Sequence, residues 1–244
     1  MKQKVKYVFF IILLMVSFLA AEEYQQKSAR SFTLTASGSV DLANINGEIE
    51  ITTTSGRTVN IKVVKKSDYK GEIENVEIIF EADKDTLKVN TKYNKKNTKA
   101  KVDFTVSIPE KLAQAGFKSV NGEIDCSGQF ADLTLKTVNG KIDFQGEFQT
   151  GTFKTVNGTI EIVQEPLLSG DLRVSTVNGT IDIELNRKSA FEVEGQTVNG
   201  SIDNDFGLQV SRHFIGSSFS GKVNGGGHKV KLETVNGRIK LSKI

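Results

Sequence analysis

TVNGKID, residues 137–143, recurs with small changes as VNGEID (120–125), TVNGTIE (155–161), TVNGTID (176–182), TVNGSID (197–203) and TVNGRIK (234–240). An Asn-Gly pair tolerates positive φ at both residues, so between alternating apolar runs it is a strong turn signal. One copy would indicate a hairpin. Copies at a near-fixed period indicate a repeat architecture, and that reading governs the whole fold. The turn asparagines are Asn46, Asn121, Asn139, Asn157, Asn178, Asn199 and Asn236, and the four steps from Asn121 to Asn199 are 18, 18, 21 and 21 residues.

Aligned on these asparagines, the chain falls into columns. Three residues later stands an isoleucine every time: Ile49, Ile124, Ile142, Ile160, Ile181, Ile202 and Ile239. Immediately before the Asn is Ile45, Val120, Val138, Val156, Val177, Val198 or Val235. Two before is a small polar residue (Asn44, Ser119, Thr137, Thr155, Thr176, Thr197 or Thr234), and four before an apolar one, with Gly195 as the exception. The last two columns share strand parity and therefore a face. Five after come Ile51, Cys126, Phe144, Ile162, Ile183 and Leu241, with Asn204 as the outlier.

Each repeat is thus two short strands joined at Asn-Gly. Successive repeats could form an antiparallel meander or the coils of a β-solenoid. Identity of residue type column by column favours the solenoid, in which like residues stack about 4.8 Å apart, whereas a meander pairs unlike positions. Asn-Gly is then a corner, with Gly supplying backbone freedom and Asn side chains hydrogen-bonding along the axis. Residues 52–109 break the period. Their longer alternating runs, RTVNIKVV, ENVEIIFEA, DTLKVNT and KVDFTVSIP, predict an antiparallel insert, with Lys-rich 92–101 as an exposed hairpin tip. The reading is an all-β, parallel β-helix-like solenoid of 18–21-residue VNG-x-I repeats: the domain spans 32–244, with the insert at 52–109, regular coils at 110–204, an irregular loop at 205–229 and a last coil at 230–244.

Before the domain, Lys2, Lys4 and Lys6 precede a 15-residue apolar run from Tyr7 to Ala21. That is shorter than the roughly 20 residues of a membrane-spanning helix, so 1–21 reads as a secretory signal peptide, cleaved after Ala21. Its removal takes three lysines from 32 basic residues and leaves 29 against 29 acidic ones. Formal neutrality argues against nucleic acid as a partner and confines membrane contact to the N-terminal segment, if that segment is retained. The lone Cys126 rules out an intrachain disulfide framework. The expected location is the periplasm, cell envelope or extracellular surface.

FTLTASGSVDLANINGEIEI (32–51), the longer-stranded insert ending in VSIPEKL (106–112), the serial VNG-x-I units and the glycine-rich stretch before LETVNGRIKL (232–241) together resemble the bacterial "putative adhesin" family of β-strand-repeat domains of unknown function. The resemblance implies an exported, non-enzymatic, adhesin-like β-solenoid of the envelope, linked in some relatives to envelope-stress systems. It supplies no catalytic, cofactor or ligand residues.

The residues themselves offer little chemistry. His213 and His228 both lie in the irregular segment, and a Ser211, His213, Asp205 set has no nucleophile-elbow context. No cofactor or catalytic residue is expected. Four residues after the Asn, however, come Asp125, Asp143, Glu161, Asp182 and Asp203, with Glu50 extending the row and Lys240 ending it. Stacked carboxylates repel, so the row must find Lys or Arg neighbours, water or a cation. The leading function is a non-catalytic scaffold that binds an envelope protein or glycan. The alternative is a polysaccharide-active lyase or hydrolase, whose acid and base would have to break the repeat consensus together.

Overall fold

A computed structural model of the chain describes residues 23–244, so the expected signal peptide lies outside the described residues. Among those described, no helix is long and apolar enough to cross a membrane. The alternating runs form β1 (Tyr24–Thr33), β2 (Ser39–Ala43), β3 (Ile49–Thr54), β4 (Thr58–Ser67), a one-turn helix α1 (Lys70–Ile73), β5 (Val76–Ala82), β6 (Thr86–Tyr93), β7 (Lys101–Pro109), β8 (Gln114–Lys118) and β9 (Ile124–Lys136). There follow β10 (Ile142–Lys154), β11 (Ile160–Gln164), β12 (Asp171–Ser175), β13 (Ile181–Leu185), β14 (Phe191–Asn199), β15 (Ile202–Asn204), β16 (Val210–Arg212), β17 (Ser217–Val223), β18 (His228–Asn236) and β19 (Ile239–Lys243).

A coil consists of one strand before the Asn-Gly corner and one after it. The strands before the corner pair in parallel in the order β6, β2, β8, β9, β10, β12, β18, β14. Those after it pair in parallel in the order β7, β3, β9, β10, β11, β13, β19, β15. The long strands β9 and β10 belong to both series, turning at Gly128 and Gly146 on the side away from the corner. The solenoid reading holds, and the isoleucine column is its spine: Ile49, Ile124, Ile142, Ile160, Ile181, Ile239 and Ile202 lie in register, none more than 8% exposed. Phe144 after the corner, Phe153 before it and Phe148 at the far edge meet with ring centroids 5.4–5.7 Å apart, so the walls close on one apolar core.

Three expectations are corrected. The stretch 52–109 is only half an antiparallel insert: β4 pairs antiparallel with β7 and β5 with β6, but β6 and β7 themselves pair in parallel with β2 and β3 and make a further coil. Lys-rich 92–101 is accordingly that coil's enlarged corner rather than a hairpin tip. The segment 205–229 is also more than a loop, since β16 and β17 form a hairpin laid antiparallel on β14. Its Phe219 fills the space beside Gly195, where a Cβ would sit 2.0 Å from the ring, which accounts for the gap in that apolar column.

The third correction concerns order. The coil β18–β19 is last in sequence but not in space: it lies between β12–β13 and β14–β15. The chain leaves one slot empty after Leu185, builds the next coil and its capping hairpin, and returns to fill the gap. Electrostatics fits this order. Sequential stacking would set Asp182 against Asp203, whereas the observed register places Lys240 between them.

Candidate functional site

The corners define the most regular feature of the surface. Each turn Asn donates its side-chain N–H to the Oδ1 of the next in the stack, Asn199 to Asn236 to Asn178 to Asn157 to Asn139 to Asn121 to Asn46, over 2.7–2.9 Å. All seven predicted corners are thereby brought into one unidirectional ladder. Next to Asn46, the last member, the Tyr93 hydroxyl donates to the Ala100 carbonyl at 2.9 Å, and its pKa is raised, chiefly by burial. Beneath it runs a second row in which buried hydroxyls each donate to a glycine carbonyl of the adjoining coil: Thr137 to Gly122, Thr155 to Gly140, Thr176 to Gly158, Thr234 to Gly179 and Thr197 to Gly237, over 3.0–3.3 Å. Ser119, in the same column, leaves its buried hydroxyl unpaired.

The glycines are required for a reason other than the one the turn signal suggested. None of the turn asparagines has positive φ, and among their glycines only Gly47 (112°) and Gly158 (158°) do. What excludes a side chain is proximity. A Cβ on Gly122, Gly140, Gly158, Gly179, Gly200 or Gly237 would lie 1.7–2.1 Å from the glycine carbonyl oxygen of the neighbouring coil. The corner is Asn-Gly because coils must touch backbone to backbone there.

The valine column points outward, opposite in parity to the buried threonines. Val120, Val138, Val177, Val198 and Val235 are 37–44% exposed and line one edge of the solenoid beside the asparagines. Parity alone could have identified this stripe. At its far end Phe214 and Ile215 protrude from the β16–β17 turn, 104% and 70% exposed. At its near end the enlarged corner, with Tyr93, Asn94, Lys95, Lys96 and Asn97, overhangs Asn46 beside an open depression of about 460 Å³.

The carboxylate row is in register as read, except that Lys240 interrupts it. Lys141 bridges Asp143 and Glu161 at 2.8 Å each, Lys240 reaches Asp182 at 3.3 Å and Arg238 reaches Asp203 at 2.7 Å. Hydrogen bonds to Asp143 and then Glu161 hold the Lys141 ammonium well above its ordinary pKa. Asp125 has no such partner; burial, and next Asp143, Glu123 and Glu48, raise its carboxyl. Among the described residues no group of three or more His, Cys, Asp or Glu is placed to hold a metal ion.

The other reactive types are dispersed. Cys126 is buried between Ile51 and Phe144, and burial drives its thiol pKa well up, away from the thiolate. His213 bonds Ser218, whereas Asp205 accepts from the backbone N–H of Lys243, so the paper set Ser211, His213, Asp205 is not assembled into a relay.

No curated protein matches the chain. A solved structure titled a "putative cell adhesion protein", from Clostridium sporogenes, is 11% identical over 91% of this chain and 100% of its own, with a TM-score of 0.53, which shows a shared fold. A "putative adhesin" from Bacteroides fragilis is 16% identical over 89% of this chain and 97% of its own, with a TM-score of 0.42. The family model of Toastrack DUF4097 matches residues 97–242, from the enlarged corner through the inserted coil. The chain belongs to the Toastrack DUF4097 family.

Proposed function

We propose that the protein is an exported, non-catalytic scaffold of the cell envelope or surface, adhesin-like in use, that presents the long outer faces of its solenoid to a protein or glycan partner. The observation that carries this reading is that the outward columns obey the repeat: the asparagines bond to one another, Asp143, Glu161 and Asp182 are neutralised by lysine, and Asp203 by arginine. An active site needs side chains that depart from the repeat and converge. A rigid, periodic, largely satisfied surface instead suits recognition of an extended, repeating ligand. A role in envelope-stress signalling is compatible with such a scaffold.

The test is to incubate the purified chain with immobilised peptidoglycan, a panel of envelope polysaccharides and solubilised envelope proteins, following retention and ligand integrity together. Saturable retention without cleavage is expected. Turnover of any polysaccharide would establish the lyase or hydrolase reading in its place.

A further inference from the structure

The β16–β17 turn carries two side chains that the fold does not use. His213 donates its backbone N–H to the Gly216 carbonyl at 3.0 Å, closing a two-residue loop whose residues are Phe214 and Ile215. Such positions ordinarily hold Gly, Asn, Asp or Ser, which meet the backbone requirement at no packing cost. Here they hold a phenylalanine and an isoleucine, the two most exposed large hydrophobic residues described, and the core gains nothing from them. The hairpin is also charge-selected. From Phe206 to Leu232 the sequence has no Asp or Glu, while Arg212, Lys222, Lys229 and Lys231 lie within it. Lys222 and Lys231 pair with Glu192 and Glu233, and Arg212, directly beside the tip, has no carboxylate partner among the described residues.

We infer that the Phe214–Ile215 tip is a lipid-contact element that inserts shallowly into an anionic bilayer, with Arg212 at the level of the headgroups. The tip is convex and only two residues wide. A protein would need a pocket shaped to receive it, whereas a bilayer admits an apolar wedge anywhere, and an anionic one also complements an acid-free hairpin. Strand β16 is three residues long, so the contact is superficial and does not span. The tip caps the end of the stack opposite β1.

The probe is extruded vesicles of phosphatidylcholine with or without phosphatidylglycerol, assayed by co-sedimentation of the full chain. Binding is expected to phosphatidylglycerol-containing vesicles. F214S/I215S should lower partitioning on the order of a hundred-fold, since two apolar side chains no longer leave water. R212Q should lower it roughly five-fold. Both variants should keep the wild-type Tm because neither tip side chain belongs to the core. The chain has no Trp, so F214W supplies a single reporter whose emission should shift blue and be quenched by brominated lipid. Absence of vesicle binding, undiminished binding by F214S/I215S, or F214W emission indifferent to vesicles would overturn the inference. Loss of binding to an envelope protein with no lipid effect would do so in favour of a protein contact. Glycan retention by F214S/I215S would be unchanged in every case, so this inference and the scaffold reading fail separately.

Discussion

Replacing Gly140 by Ala tests the close approach of coils at the corner. The new Cβ would lie 2.1 Å from the Gly122 carbonyl oxygen and 2.7 Å from its carbon. Both are backbone atoms inside a ladder, so neither can rotate away. Relief to an ordinary contact needs about 1 Å of separation between coils. That would stretch the bonds from Gly122 N–H to Asn139 O (3.1 Å), Asn139 N–H to Val120 O (2.8 Å) and Asn139 Nδ2 to Asn121 Oδ1 (2.8 Å) beyond useful length. At about 1 kcal/mol each the loss is about 3 kcal/mol, offset by less than 1 kcal/mol from the lower chain entropy of alanine when unfolded. For a domain of this size that lowers Tm by roughly 5–12 °C. Gly71 is the control, because a Cβ there meets nothing within 4 Å and G71A should be neutral or slightly stabilising. Urea and thermal unfolding of both variants measure the difference. G140A as stable as G71A would refute backbone contact between coils at the corner.

N157D replaces the amide that donates to Asn139 with an acceptor facing an acceptor. Its folded pKa should rise above the unfolded value, so the variant should be about 1–2 kcal/mol less stable at neutral pH and recover as pH falls through that raised pKa, in a urea titration across pH. Asp125 is raised for burial and like-charge reasons, so ionising it costs the native state; D125N should be slightly more stable than wild type at pH 7, a gain that disappears on acidification. K141M should cost no more than about 1 kcal/mol, since its partners are over a third exposed, and salt should erase most of it. The Lys141 contribution is present below the unfolded lysine pKa and is lost as pH rises through the folded one. In hydrogen exchange, amides of β18 and β19, bonded on both sides, should outlast those of β15, bonded on one.

The solenoid was legible because a period of two acts on every strand: Thr155 and Phe153 share parity, Ile160 follows the corner, and stacking makes each column chemically uniform. The reason for the glycines was not, because a turn glycine and a contact glycine look alike in one repeat; only neighbouring coordinates reveal the carbonyl of Gly122 under Gly140. The inserted coil was hidden for a related cause. Residues 228–243 carry the same consensus as their neighbours, so hydrophobic pattern fits them to any slot. What distinguishes the slots is charge and cap: Lys240 and Arg238 belong beside Asp182 and Asp203, and Gly195 needs a ring from outside its own coil. The strands β6 and β7 were seen as strands but lacked an Asn-Gly corner to mark them as a coil. Of the surface, the carboxylate row and asparagine ladder followed from spacing, while the exposed valine edge needed only the parity of Val138 against Thr137.

The spatial order of the coils is tested most directly by paired cysteines on the exposed valine column, in a C126A background. Val177 and Val235 precede bridged asparagines on adjacent coils, Asn178 and Asn236, whereas Val198 precedes Asn199 one coil further on. Adjacent coils lie about 4.8 Å apart and a disulfide needs Cα atoms within about 4.4–6.8 Å. V177C/V235C should therefore oxidise readily to an intramolecular disulfide while V177C/V198C, near 10 Å, remains reduced. Ready closure of V177C/V198C together with failure of V177C/V235C would mean that the coils stack in sequence order, and would contradict the inserted coil.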